Sequence, residues 1–220
     1  MSELDFTCVG AHADRYAVTP GMTLRLRITD SGGEPVDAIA LRCQIRIEPH
    51  LRRYSAAEAA RLADLFGETH RWADTLKPLQ FTTLSVMVPG FTGETTIDVP
   101  LPCTYDLEVA SAKYFNGLED GVIPLLLLFS GTVFARHEGR MRVRQVPWSK
   151  EAPFPLPVEV WRETVDLHFP GSAWLRVRRD TLDALQHFKS TAALPGWDST
   201  LLALLEQARS SQERTDRPCA

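Results

Sequence analysis

Between Ile39 and Ile47 the chain alternates without a miss. Ile39, Leu41, Cys43, Ile45 and Ile47 fall on one side, and Ala40, Arg42, Gln44 and Arg46 on the other. A period of two is the mark of a half-buried strand, with one face in a core and the other toward water. Pro49 ends the run.

The same period recurs along the first two thirds of the chain. A short strand is expected near Leu4–Val9, and Leu24, Leu26 and Ile28 alternate with Arg25 and Arg27. Thr82–Val88 and Thr95–Val99 read as strands joined by a hairpin-like turn at Pro89–Gly93. Tyr105, Leu107 and Val109 alternate with Asp106 and Glu108, and the glycine-containing Lys113–Gly121 reads as a turn. Val122–Phe129 is an apolar run far short of the ~20 residues a membrane helix needs. It predicts the central strand of a sheet covered on both faces, with the rest of the chain packing around Pro102–Arg136. Met141 and Val143, with outward Arg142 and Arg144, complete about seven strands over the first 140 or so residues.

One helix interrupts the series. Ser55 followed by Glu58 is a capping-box signature, Leu62, Leu65 and Phe66 share a helical face, and Gly67 supplies the stop. Turn-linked strands with one insertion predict an α+β chain. Its body, residues 1–147, is an antiparallel immunoglobulin-like β-sandwich with the helical insertion at 50–72. The four prolines of residues 147–157 predict a stiff connector over 148–157. A small, mainly helical subdomain follows over 158–209. Its helices are a segment ending at Pro170-Gly171, one capped by Asp180, and one beginning at Ser199. Trp161, Trp174 and Trp197 are expected in its core, a short Ala173–Val177 segment between the first two helices, and a frayed polar tail over 210–220.

Composition excludes several classes. The net charge of −4 gives no overall basic field for nucleic acid. No stretch is apolar enough to span a bilayer, and the amino terminus lacks the basic and apolar regions of a secretory signal. Four widely scattered cysteines point to a reducing cytoplasm.

Motifs for chemistry are sparse. Cys8, Cys43, Cys103 and Cys219 form no close pair, and no two histidines have ligand spacing, so neither a metal site nor a cofactor is expected. Ser130-Gly131 lacks the preceding glycine of a nucleophile elbow, and Ser31-Gly32-Gly33 lacks the Lys-Ser/Thr of a phosphate loop. Cys103, placed at a strand start where it could be partly exposed, is the candidate for a Cys/His site. Asp106 and Glu108 share one side of a strand, which suits pairing with arginines better than glycosidase chemistry. The outward arginines Arg25, Arg27, Arg42, Arg46, Arg142 and Arg144 would form one positive face if their strands share a sheet. The bland alternative is a solvated face. Arg52, Arg53, Tyr54, His70, Arg71 and Trp72 in the insertion make a second docking candidate, since Trp, Tyr and Arg anchor interface hot spots. Leu201–Leu205 offers an apolar stripe to a partner or to a second copy of the chain.

The segments ALRCQIRIEPHLRRY (40–54), PCTYDLEVASAKYF (102–115), FSGTVF (129–134) and HFPGSAWLRVRRDTLDAL (168–185) resemble an uncharacterised bacterial family of unknown function. The resemblance spans most of the chain. It implies a genetic neighbourhood beside NiFe hydrogenases and their maturation factors, and hence an accessory role with a hydrogenase component as partner. It supplies no catalytic motif to map. The expectation is therefore a non-enzymatic interaction protein, with a small-ligand-binding sandwich or a Cys103 enzyme as alternatives.

Overall fold

A computed structural model describes residues 4–103, 109–137, 140–171 and 177–215. They belong to two compact units, Met1–Ser172 and Ala173–Ala220.

The first unit opens with β1 (Leu4–Ala13), β2 (Gly21–Asp30) and β3 (Val36–Ile47). After a short turn of helix at Pro49–Leu51 come α1 (Ala56–Phe66) and the single-turn α2 (Trp72–Thr75). Then follow β4 (Leu79–Phe91), β5 (Glu94–Pro102), α3 (Val109–Gly117), β6 (Val122–His137), β7 (Arg140–Gln145), β8 (Glu151–Pro157) and α4 (Val158–Asp166). The second unit holds α5 (Arg179–Thr191) and α6 (Trp197–Thr215).

All strand pairs are antiparallel, in two sheets. One has the order β1-β2-β5; the other runs β4-β3-β6, with β7 and β8 both bonded to the far edge of β6. Their oily faces share one core. Leu24, Leu26 and Ile28 of β2 and Ile39, Leu41 and Ile45 of β3 are all at most 2% exposed. Phe6 of β1 stacks on Phe129 of β6 with ring centroids 4.4 Å apart. Such a pair adds about 0.5–1.5 kcal/mol beyond its burial. The alternation read in β3 holds: Leu41 and Ile45 point inward, Arg42 is exposed and Arg46 half-buried.

Several expectations need correction. The turn at Pro89–Gly93 does not close a hairpin, because β4 bonds to β3 and β5 bonds to β2. The chain crosses there from one sheet to the other, with Gly93 at φ 73°. The proposed Tyr105–Glu108 strand lies outside the described residues, but Val109 opens a helix. Most of the expected Lys113–Gly121 turn is likewise helical. Ser111, Tyr114, Phe115 and Leu118, spaced three, one and three residues apart, are all at most 2% exposed. α1 lies close enough that a Cβ on Gly117 would sit 2.6 Å from Leu62 Cδ2.

The expected connector is strand β8. Ala152, Phe154 and Leu156 point into the core, while Pro153, Pro155 and Pro157 face out. Prolines suit such an edge, where among the described residues β8 bonds only β6. α4 belongs to the first unit, with Val158 and Trp161 in its core. Trp161 packs on Phe115 at 4.8 Å, whereas Trp197 of the second unit is 42% exposed. Trp174 and most of the Ala173–Val177 segment lie outside the described residues. No tryptophan-centred subdomain core is therefore seen among the described residues. Arg178 stands at the N-cap position of α5 without a side-chain cap bond, with Asp180 inside the first turn, and α6 continues through the stretch expected to fray from 210, as far as Thr215.

β6 is central, as expected, but only one of its faces is sealed. Ile123, Leu125 and Leu127 are buried while Pro124, Leu126 and Leu128 remain half-exposed. Its outer edge bonds β8 over Val122–Leu128 and β7 over Thr132–His137. Gly131 sits at the changeover with φ 149°, and a Cβ there would lie 2.2 Å from the Ala40 carbonyl oxygen. Only glycine fits such a backbone. Gly131→Ala is expected to lower the unfolding free energy by more than about 2 kcal/mol. Gly10→Ala, where no atom lies within 4 Å of the added carbon, should change it by less than about 1 kcal/mol. Urea titrations of both variants check the contrast.

Candidate functional site

The insertion turns its most conspicuous residues inward. Arg52 forms an ion pair with Glu58, with side chains 8% and 3% exposed, and donates from Nη1 to the Val122 carbonyl at 2.7 Å. Glu58 also accepts from the Ser55 and Glu119 amides at 2.9 and 2.8 Å, while its own amide donates to Ser55 Oγ. The capping box read in the sequence is thus formed, and it serves additionally as the anchor of a buried cation. Burial alone would raise the Glu58 carboxyl, but the two amides and Arg52 outweigh it and hold the group below the usual carboxylate range.

Tyr54 donates to or accepts from Tyr114 at 2.9 Å, and its hydroxyl lies 2.7 Å from the Pro49 carbonyl. Burial raises both phenols. Trp72 meets Tyr54 edge-on at 5.2 Å and donates from its indole nitrogen to the Gly67 carbonyl. Arg52 thus ties the insertion to β6 and Tyr54 ties it to α3, while Trp72 packs against residues of the insertion itself. Arg53, His70 and Arg71 stay exposed.

The strand arginines do not form a single face. Arg25 and Arg27 lie on the outer side of the three-stranded sheet, where Arg25 pairs with Asp98 on β5 at 3.1 Å. Arg42 and Arg46 lie on the outer side of the other sheet, with Arg46 bonded to Glu48 at 2.9 Å. On β7 the expected sides are exchanged. Arg142 and Arg144 stand opposite Ala135 and Val133, which are buried, so they occupy the inner side of the sheet. Arg144 reaches Asp30 on β2 at 2.8 Å, a carboxylate only 2% exposed, and so clamps one sheet to the other. A guanidinium on a long stem can sit over apolar surface while its head finds an acid. Met141 and Val143 take the outer side instead.

That exchange leaves an apolar field on the outer face of the five-stranded sheet. One row across the ladder reads Pro89, Ala38, Phe134, Val143; the next begins Met87, Ala40, Thr132. The third places Arg42 between Ser85 and Ser130. Met87, Met141 and Val143 are 62%, 69% and 54% exposed. Trp148, in the loop where the edge passes from β7 to β8, is 93% exposed. The sequence signal for this field was the pair Ala38 and Ala40, apolar at the outward positions of β3.

Cys103 is not at the surface. It is 7% exposed with its thiol 3.5 Å from the Leu101 carbonyl, and burial pushes it up to about 12. Cys8 and Cys43 are likewise buried, raised to about 11 and about 12. A nucleophilic thiol needs a thiolate at working pH, and these environments oppose one. Among the described residues no three His, Cys, Asp or Glu side chains are grouped to hold a metal ion, and no helix is long and apolar enough to cross a membrane. Asp106 and Glu108 lie outside the described residues. An open hollow of about 430 Å³ runs along α4, lined by Glu159, Arg162, Glu163, Asp166 and Leu167.

Two outcomes follow. In a Cys219→Ser variant, a thiol reagent at neutral pH should label nothing on the timescale of minutes until urea is added; fast labelling of the native chain would contradict the burial. Glu58→Gln should cost about 3–5 kcal/mol at neutral pH, because Arg52 is left buried without its counter-charge. Since the folded Glu58 carboxyl is depressed, its stabilising effect is full above the ordinary value near 4.5 and fades as pH falls through the lower folded value. The gap in unfolding free energy between wild type and Glu58→Gln should therefore narrow from pH about 7 to pH about 3.

Among solved structures the chain is similar to parts of β-glucosidases. One, from Kluyveromyces marxianus, is 9% identical over 71% of this chain and 15% of its own length, with a TM-score of 0.27. Another, β-glucosidase 3B from Thermotoga neapolitana in complex with α-D-glucose, is 10% identical over 70% of this chain and 17% of its own length, with a TM-score of 0.25. The chain thus spans less than a fifth of either enzyme. No curated protein matches it. A family model covers residues 1–213, nearly the whole chain: the protein belongs to the family of unknown function DUF6084.

Proposed function

We propose that this chain is a non-enzymatic accessory protein that docks a protein partner on the outer face of its five-stranded sheet. The frame is an immunoglobulin-like sandwich, and the partner to test is a component of a NiFe hydrogenase or of its assembly machinery. One observation carries the reading. Met87 on β4 and Met141 and Val143 on β7 stand more than half exposed on the same face of one sheet, with Ala38, Ala40 and Phe134 on the strands between them. Their field also holds Arg42, which is exposed and engages no acid among the described residues. Contiguous apolar surface with a polar margin marks interaction sites on soluble proteins. An unpaired arginine at its border gives such a surface orientation and selectivity toward an acidic rim. The hydrogenase assignment rests on the family resemblance alone. The free, buried thiols of Cys8, Cys43 and Cys103 accord with a reducing cytoplasmic setting.

Co-expression with the hydrogenase subunits and maturation factors of the native host, followed by affinity purification of this chain, tests the reading. Wild type should retain a hydrogenase component. Arg42→Glu and Met87→Asp should each reduce its recovery about tenfold or more, since losing a central contact costs over about 1.4 kcal/mol. Undiminished recovery with both variants would remove the sheet face from consideration. Failure of the wild type to retain any hydrogenase component would remove the hydrogenase.

A further inference from the structure

Helix α6 is apolar on two sides. Thr200 is buried and Ala203 and Leu204 are half-buried, marking its covered side. On the opposite side stand Asp198, Leu202, Leu205 and Arg209, all exposed. Spacings of four, three and four residues bring these four within about 60° of one another around the helix. Leu202 is 59% and Leu205 54% exposed. The outward side of a surface helix is normally polar throughout, and here two leucines occupy its middle. Neither Asp198 nor Arg209 takes an ion pair among the described residues.

We infer that this stripe is a homodimer contact, its occupant a second copy of α6 packed antiparallel about a two-fold axis. The argument is the order of charges. The stripe begins with an acid, ends with a base, and has the leucines placed symmetrically between them. Under a two-fold axis crossing the helix between Ala203 and Leu204, Leu202 of one copy meets Leu205 of the other. The same operation sets Asp198 against Arg209 at both ends, so the surface is complementary to itself, as an isologous interface must be. A parallel arrangement would instead oppose Asp198 to Asp198 and Arg209 to Arg209. The contact spans about 16 Å of helix, with Leu201 at its flank adding apolar area. It does not depend on the sheet-face reading, which concerns a different surface and a different partner.

Sedimentation velocity of the full chain from about 1 to 100 µM tests this inference. Wild type is expected to dimerise within that range, and Leu202→Glu with Leu205→Glu to leave a monomer throughout. Asp198→Arg and Arg209→Asp should each weaken the dimer at least about tenfold, because each places like charges at both ends. The double reversal should return it to within about threefold of wild type. A wild-type monomer at every concentration, a dimer indifferent to the leucine substitutions, or a double reversal as weak as the single ones would each overturn it.

Discussion

Strand β6 has to serve two partners along one edge, and the rest of the first unit depends on how it does so. Over its first half the edge bonds β8, over its second half β7, and between them the chain must leave the ladder and return. The Gly131 carbonyl takes the Val146 amide as β7 ends, and the Lys150 carbonyl takes the Phe129 amide as β8 begins. Between these bonds the backbone of β6 presses on β3, so closely that Gly131 has no room for a side chain. This close approach lets the 16-residue strand stay bonded to β3 from Leu125 to Ala135 while its other edge changes partner. A ladder that broke here would strand buried amides of β6, and unpaired buried backbone groups are rarely tolerated.

Around that strand the chain distributes its arginines by what each can reach. Arg52 is drawn beneath the insertion by Glu58, Arg144 across the two sheets by Asp30, and Arg46 along its own strand by Glu48. Buried pairs of this kind add little net stability over an apolar substitute, yet breaking one is costly. Their effect is to fix positions: the insertion against β6, and β7 against β2. The aromatic residues of the insertion act in the same direction. Within the arginine-rich, tryptophan-bearing segment Arg52, Tyr54 and Trp72 make internal contacts, while Arg53, His70 and Arg71 stay exposed.

How much could be read beforehand follows from the physics of each element. Strand β3 was legible because it lies mid-sheet with one face in the core, so every position obeys the same rule. α1 was legible because a capping box is a local interaction between residues three apart. β7 misled because alternation separates two faces without saying which is inside, and an arginine can lie inward if an acid waits there, as Asp30 does. β8 misled because its prolines read as a break, although Ala152, Phe154 and Leu156 keep a period of two. α3 was hidden by the apparent alternation before it, despite the helical spacing of Ser111, Tyr114, Phe115 and Leu118. The crossing from β4 to β5 was beyond local reading, since a turn sequence does not choose the sheet that its strands will join. The sheet-face field inherited the β7 error, because with Met141 and Val143 taken as inward no apolar patch could be seen.

Exposure alone says little about purpose. Tyr16 and Val18, at the tip of the β1–β2 loop, are 96% and 98% exposed, yet isolated apolar side chains on loops are ordinary. Contiguity is the better criterion, because water is released cooperatively only from surface that a partner can cover in one piece. The sheet face meets that criterion through the ladder, which fixes Met87 beside Ala40 and Val143 beside Phe134. α6 meets it through helical repeat, which stacks Leu202 and Leu205 one turn apart. In each case regular backbone holds the apolar side chains in place before any partner arrives, so little conformational entropy remains to be lost on contact. Regular backbone and charge at the border are what the two surfaces share, whereas burial at Cys103 opposes ionisation of its thiol.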